Sequence, residues 1–345
     1  MYLICFGTRP EIIKLIPLIR EFKKNDIQFK TLFSGQHENL IEKFYSYIEK
    51  PDYTLTNIMN HNQTLNKLSS KIIMNMDQVY DSENFTHVIV QGDTTTAFSI
   101  ALTAFHRKLK VIHLEAGLRT NNKNSPYPEE LNRRLISQIA DIHLCPTELS
   151  VNNLKKEQIT HNVFLVGNTV VDSYKYIYEN TTPDNEIEDI IGKNKYIVVT
   201  LHRRENRGDK IESMWSQLNS ISEKHNFIYI MHPSLPDSIT KLNENITVLK
   251  PQNYENMVHL ISNSFGIITD SGGLQEEAVC ANKRVLICRD TTERPETIEC
   301  GLGKLIDTNI ADNIDFFTND NSETVINPYG INVCEKIIDA LNELV

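Results

Sequence analysis

The sequence predicts an α/β chain folded as two Rossmann-like, doubly wound domains facing each other across a cleft. Short apolar runs alternate with longer segments of helical spacing along the chain, the pattern of parallel strands with helices on both faces. A polar stretch around Asn180-Thr181-Thr182-Pro183-Asp184-Asn185 interrupts the alternation, and a second alternating set follows it. Polar clusters fall where the apolar runs end, which in an open parallel sheet is where ligands bind.

Tyr2–Phe6 reads as the first strand. Pro10 suits the first turn of a helix whose apolar positions, Ile12, Ile13, Leu15, Ile16, Leu18, Ile19 and Phe22, recur at helical spacing. Ile27–Phe33 gives the second strand, followed by a helical segment near Glu38–Glu49 and a longer helix over about Thr64–Tyr80. Next come the strand His87–Gln91, a helix from Thr94, the strand Lys110–Leu114, a helix from Pro128, and the strands Ile142–Cys145 and Val163–Val166. The first domain is expected over residues 1–168 and the second over 169–330. The second takes its strands from Tyr196–Thr200, Phe227–Met231, Thr247–Leu249, Gly266–Thr269, Val285–Cys288 and Lys304–Ile306. A last helix, within 331–345, carries the apolar stripe Val333, Ile337, Ile338, Leu341 and Leu344; it either caps the second sheet or crosses back onto the first domain.

At 345 residues the chain can bury two cores. A net charge of −10 argues against a general nucleic-acid binder, which carries a basic face, yet leaves room for an anionic ligand held by local arginines. Cys5, Cys145, Cys280, Cys288, Cys300 and Cys334 are scattered without a C-x-x-C pair, which fits reduced thiols in the cytoplasm better than a disulfide frame or zinc site. The apolar start is too short for a signal peptide, and no run approaches the roughly 20 apolar residues of a membrane span.

The densest chemistry lies in His113–Arg134, HLEAGLRTNNKNSPYPEELNRR. A strand delivers Glu115, Ala116-Gly117 breaks it, and Glu129, Glu130, Arg133 and Arg134 open the next helix; a solvated, salt-bridged loop is the plain alternative. Gln91-Gly92-Asp93-Thr94-Thr95-Thr96 ends another strand and sets Asp93 in the cleft, where capping the following helix is the plain alternative and compatible with it. Gly7-Thr8-Arg9-Pro10-Glu11 follows the first strand as a turn into a helix N-terminus, an anion site with Arg9 and Lys14 beside it. It matches neither a dinucleotide fingerprint nor a P-loop.

In the second half, His202-Arg203-Arg204-Glu205-Asn206 reads as a pyrophosphate grip, with His202 able to protonate a leaving phosphate; His232-Pro233 is a weaker echo. Thr269-Asp270-Ser271-Gly272-Gly273-Leu274-Gln275-Glu276-Glu277 places a capping Ser271 and bare Gly272 and Gly273 amides at a helix start. Glu277 could accept both hydroxyls of a ribose, and Arg294 follows another strand. Carboxylates in one half and nucleotide-type contacts in the other suggest sugar chemistry on a nucleotide carrier.

Taken in order, GTRPEIIKLIPLI, GQH, QGDTTT, HLEAGLRT, PYPEELNRR, VGNTVVD, HRREN, TDSGGLQEEA and TERPE resemble the non-hydrolysing UDP-N-acetylglucosamine 2-epimerases, over residues 3 to about 303. The resemblance implies two Rossmann domains as in GT-B glycosyltransferases, a homodimer and no metal or redox cofactor. It also implies interconversion of UDP-GlcNAc and UDP-ManNAc by anti elimination of UDP to 2-acetamidoglucal and re-addition. By the same resemblance Asp93, Glu115 and Glu129 carry the proton transfers and His202 assists UDP departure. Arg9, Lys14 and Arg133 hold the pyrophosphate or orient the carboxylates. Ser271, Gly272, Gly273 and Glu277 bind phosphate and ribose, with Arg294 and His232 nearby.

Many bacterial members bind a second UDP-GlcNAc as activator through a Gln-His-x-Gln run and an arginine. Here Gln36 and His37 match, Asn39 replaces the second glutamine, Lys71 stands in the arginine's place and Arg203 remains. Asn loses reach and Lys loses the planar fork, so an altered activator site is implied. It would suit relatives acting on UDP-2-acetamido-2,6-dideoxy-L-hexoses. A hydrolysing 2-epimerase, a GT-B glycosyltransferase and a silent nucleotide-sugar sensor are the rivals. The opening motif, the three carboxylates and the intact Asp93, Glu115, Glu129 and His202 respectively rank them lower.

Overall fold

The structure, a computed structural model, describes residues 1–35, 41–60, 63–193, 195–232, 242–318 and 325–344. It divides into two compact units, Met1–Ser173 with Tyr329–Val345, and Tyr174–Pro328.

The first unit is built on a seven-stranded sheet with every pair parallel. Its strands are β1 (Tyr2–Phe6), β2 (Phe29–Phe33), β3 (Tyr53–Thr54), β4 (His87–Gln91), β5 (Lys110–Leu114), β6 (Ile142–Cys145) and β7 (Val163–Leu165), in spatial order β3-β2-β1-β4-β5-β6-β7. Chain order reverses between β1 and β4, so their carboxyl ends open the crevice where such sheets bind ligands. Most of β1, β4 and β5 is buried, because helices cover both faces. β3, which the sequence reading lacked, is two residues long and exists through its pairing, Leu32 with Tyr53 and Phe33 with Thr54.

Helix Arg9–Lys24 starts with proline in its first turn and carries a second, Pro17, in its interior. Pro17 has no N–H to give the carbonyl four residues back, that of Ile13. The Ser173 hydroxyl donates to that carbonyl at 2.7 Å, which relieves the cost of leaving it unpaired. The last helix, Val333–Asn342, packs on Arg9–Lys24 through a buried stripe of Val333, Ile337, Ile338 and Leu341. Asp172 caps it, accepting from the backbone N–H groups of Val333 at 3.2 Å and Cys334 at 2.7 Å.

The second unit repeats the plan with six strands, again all parallel: β8 (Ile197–Thr200), β9 (Phe227–Ile230), β10 (Ile246–Leu249), β11 (Gly266–Thr269), β12 (Val285–Ile287) and β13 (Gly303–Leu305). The order β10-β9-β8-β11-β12-β13 puts its reversal between β8 and β11. Its core gathers Val199, Leu201, Met214, Trp215, Leu218, Tyr229 and Leu286. Trp215 is polar only at Nε1–H, which donates to the Tyr229 hydroxyl at 3.1 Å inside that core. Among the described residues no helix is long and apolar enough to cross a membrane, and all six cysteines are free.

Candidate functional site

Both reversal points carry dense polar networks. In the first unit the turn after β1 is filled by the chain itself. The buried Glu11 Oε2 accepts from the Gly7 N–H at 3.0 Å, the Thr8 N–H at 2.7 Å and the Thr8 hydroxyl at 2.7 Å. Its Oε1 accepts from the Thr94 hydroxyl at 2.7 Å, tying this turn to the one after β4. Burial pushes the Glu11 carboxyl above its ordinary pKa, against the pull of these donors. The anion site expected from the Gly7 and Thr8 amides is therefore occupied by Glu11. Arg9, half-buried at the start of the same helix, makes no ion pair among the described residues.

Glu115 sits just past β5 with φ of +62°, a conformation that few residues other than glycine adopt. Its Oε1 accepts from Lys14 Nζ at 2.6 Å and from Asn168 Nδ2 at 3.3 Å, and its Oε2 accepts from Gln91 Nε2 at 2.6 Å. Next to it, at the end of β4, Asp93 Oδ2 receives Arg133 through Nε at 2.7 Å and Nη2 at 2.6 Å. Asn132 Nδ2 holds the Asp93 carbonyl at 2.8 Å. Of the two readings open for Asp93, capping is not the one realised: Thr94 is the N-cap, its hydroxyl accepting from the Ala97 N–H at 3.0 Å. The Asp93 carboxylate is thereby left for Arg133.

Glu129 begins the helix Glu129–Ile139, one turn ahead of Arg133, and is half-buried. The neighbouring Glu130 is fully buried and fixes the preceding loop, accepting from the Thr120 N–H at 2.9 Å and the Asn121 N–H at 3.1 Å, and from Arg133 Nη1 at 3.1 Å. His113, inside β5, donates from Nε2 to the Gly92 carbonyl at 2.7 Å; complete burial holds its pKa down at about 3, so the ring is neutral. The structure thus brings Lys14, Asp93, Glu115 and Arg133 together at the carboxyl ends of β1, β4 and β5, with Glu129 one helical turn before Arg133. Lys14 and Arg133 each contact a carboxylate here, Glu115 and Asp93 respectively. Gln91, His113, Asn132 and Asn168 were not singled out from sequence. An amide or imidazole beside a motif has no spacing rule of its own.

In the second unit the organising group is Asp270, which sequence reading also passed over. It is fully buried just past β11 and accepts from the backbone N–H groups of His202 at 2.9 Å and Arg203 at 2.9 Å, and from Asn206 Nδ2 at 2.9 Å. His202 Nδ1 lies 3.2 Å from Asp270 Oδ1, which fixes which ring nitrogen faces outward. The ring stacks on His232 with centroids 4.4 Å apart. Burial lowers the pKa of His202, with Asp270 pulling the other way, and burial followed by His202 lowers that of His232.

Helix Gly272–Cys280 starts at the same point. Ser271 stands at its N-cap without the side-chain capping bond expected of it, and its N–H donates to the Thr269 hydroxyl at 3.0 Å. A Cβ at Gly272 would come within 2.7 Å of Arg294 Nη1, so a larger residue there requires that ion pair to shift, whereas nothing lies within 4 Å of one at Gly273. Arg294 is pinned by Glu276 at 2.7 Å and by Glu293 at 2.6 Å. Arg289 at 2.7 Å and Arg203 at 3.7 Å also face Glu293, and Arg294, Arg289 and Arg203 together hold its carboxyl well below the usual range despite burial. Glu277 is half-buried in the second turn of that helix.

Gln36 and His37 lie outside the described residues. Lys71 donates to the backbone carbonyls of Asn57 at 2.7 Å and Ile58 at 3.3 Å. Arg203 is engaged with Glu205 at 3.2 Å as well as with Glu293.

A family profile described as UDP-N-acetylglucosamine 2-epimerase matches residues 20–342. The chain is 40% identical to a Campylobacter jejuni UDP-N-acetylglucosamine 2-epimerase, with 98% of this chain and 96% of that protein covered. It is 41% identical to one from Salmonella borreze, over 90% and 87%. Its structure is similar to a Neisseria meningitidis UDP-GlcNAc 2-epimerase bound to UDP-GlcNAc, with TM-score 0.89, 37% identity and 99% of each chain covered. It is also similar to a Methanocaldococcus jannaschii UDP-GlcNAc 2-epimerase in complex with UDP-GlcNAc and UDP, with TM-score 0.87, 32% identity and 100% of each chain covered. A Streptomyces nogalater glycosyltransferase at 14% identity and TM-score 0.64 shares the fold alone.

Proposed function

The chain belongs to the UDP-N-acetylglucosamine 2-epimerase family and catalyses that epimerisation, and from this premise we propose how its residues divide the work. The C2 hydrogen of the sugar is not adjacent to a carbonyl, so it becomes removable once UDP leaves C1 and C1 turns cation-like. A carboxylate takes the C2 proton, the C2–H electron pair becomes the C1=C2 bond of 2-acetamidoglucal, and the C1–O pair departs with UDP. Proton delivery to the other face and return of UDP give the epimer. Opposite faces call for more than one acid/base group. Asp93, Glu115 and Glu129 are assigned to them.

The observation that carries this reading is the pairing of Asp93 and Glu115 at neighbouring strand ends, each bound by a cation, Arg133 and Lys14. Such bidentate or short pairing aims a carboxylate. The second unit supplies the diphosphate grip. His202, with Nδ1 toward Asp270, turns Nε2 to the leaving phosphate, and the Gly273 amide and Arg294 receive its oxygens. Glu277 takes the ribose. The free thiols support a cytoplasmic setting, and a homodimer is expected, to be checked by light scattering.

Incubation with UDP-GlcNAc in deuterated water is expected to place deuterium at C2 of both epimers, read by NMR. Asp93→Asn should cut that exchange at least about 100-fold while UDP still binds, the usual scale for losing a proton-transfer group. Unchanged exchange in this variant removes Asp93 from the mechanism.

A further inference from the structure

Glu115 accepts from Lys14, Asn168 and Gln91, and these donors are not equivalent. Lys14 is a cation and can only donate. Asn168 donates through Nδ2 while its Oδ1 accepts from the Val170 N–H at 3.1 Å. Both favour the ionised carboxylate. Gln91 differs. Its residue is 2% exposed, its Nε2 donates to Glu115 Oε2 at 2.6 Å, and its Oε1 is buried with no hydrogen-bond partner among the described residues. Buried amide oxygens are seldom left so, and an exception calls for an explanation.

We propose that Gln91 is a positioning residue whose amide turns over with each proton transfer at Glu115, keeping that carboxyl hydrogen-bonded both as base and as acid. This rests on the elimination mechanism above. When Glu115 is ionised, Nε2–H donates to it. When Glu115 takes the C2 proton, the C2–H pair forms the C1=C2 bond and the C1–O pair leaves with UDP. Glu115 then holds an O–H, a donor facing a donor. A half-turn about the terminal torsion of Gln91, which is soft and nearly two-fold, exchanges Nε2 and Oε1, and Oε1 accepts from the new O–H. The amide thus presents Glu115 with a donor when it is ionised and an acceptor when it is protonated.

A reversible epimerase needs its carboxyl hydrogen-bonded in both states, since the same group is base in one direction and acid in the other. The two donors Lys14 and Asn168 alone would bias it to the ionised form. Among the described groups facing or near Glu115 are Lys14 from helix Arg9–Lys24, Gln91 from β4, Asn168 beyond β7, and the buried neutral His113 on its own strand.

The test compares the full-length wild type, Gln91→Met and Gln91→Glu in the deuterium-exchange assay with UDP-GlcNAc, across pH 5 to 9. Circular dichroism and UDP titration serve as controls. Gln91→Met keeps the length and removes both polar atoms. Its kcat should fall at least about 30-fold at every pH with KM within about threefold. Gln91→Glu regains a donor and an acceptor on one group only when protonated. It should recover at least about tenfold of that loss at the acid end and none at the alkaline end.

Gln91→Met with kcat within threefold of wild type overturns the proposal. So does a Gln91→Glu profile parallel to that of Gln91→Met. Should Gln91→Met not fold, the acid recovery of Gln91→Glu decides by itself. A wild type that places no deuterium at C2 overturns the elimination reading and this proposal with it, whereas a normal wild type beside a normal Gln91→Met overturns this proposal alone.

Discussion

His113 shows how one buried ring shapes the first unit without touching a ligand. Its Nε2–H holds the Gly92 carbonyl, and Gly92, at φ +67°, is the turn that presents Asp93. The folded ring stays neutral down to about pH 3, whereas its ordinary value is 6.5. Between those values the unfolded chain binds a proton that the folded chain refuses, so stability falls as pH drops from about 6.5 toward about 3. The slope approaches about 1.4 kcal/mol per pH unit for each such proton. His143, held at about 4 by burial, adds to the same trend. Urea unfolding at pH 7, 6 and 5 should show this loss. His113→Asn should be less stable at pH 7 and lose stability less steeply on acidification; a slope equal to wild type would separate His113 from the effect.

Each unit locks its reversal point with an internal carboxylate: Glu11 across β1 and β4, and Asp270 across β8 and β11. These two locks explain what the sequence revealed and what it hid. The strands were legible because parallel strands buried on both faces are continuous apolar runs. β3 was not, because two residues have no periodicity. Capping was an open reading for Asp93 because Asp is common there, yet Thr94 in the next position could cap equally and left Asp93 for Arg133. Glu11 read as one more charge in a motif, since nothing in GTRPE says that its side chain folds back onto its own turn.

At the corresponding helix start of the second unit, the two glycines differ in a way that can be measured. Gly272→Ala forces a Cβ against Arg294 and Glu293 and should cost about 1–3 kcal/mol, the range for overpacking a buried contact. Gly273→Ala meets nothing within 4 Å and should melt like wild type, yet bind UDP at least tenfold more weakly by calorimetry because a methyl covers the amide. Equal UDP affinity for Gly273→Ala and wild type would place the diphosphate elsewhere.

At the scale of the whole chain, the first unit is completed by its last residues: Tyr329–Val345 belong to it although Tyr174–Pro328 intervene. The junction is tight, since Gly167 at φ +103° puts its missing Cβ within 2.5 Å of the Tyr329 carbonyl, and the Asn168 N–H donates to that carbonyl at 2.9 Å. The same Asn168 reaches Glu115, so the returning segment and the carboxylate cluster share one residue. Beyond it, Ile337 is fully buried in the helix that packs on Arg9–Lys24, whose own first turns carry Glu11 and Lys14. Ile337→Ala opens a cavity there and should cost about 2–5 kcal/mol. Because each unit has its own core, the loss should be regional. Hydrogen exchange should accelerate in the amides of Arg9–Lys24 and Val333–Asn342, while β8 to β13 keep their protection. If protection fell equally across both units, they would unfold as one cooperative block, and the dependence of Lys14 and Glu11 on the chain's last helix could not be assigned to the first core.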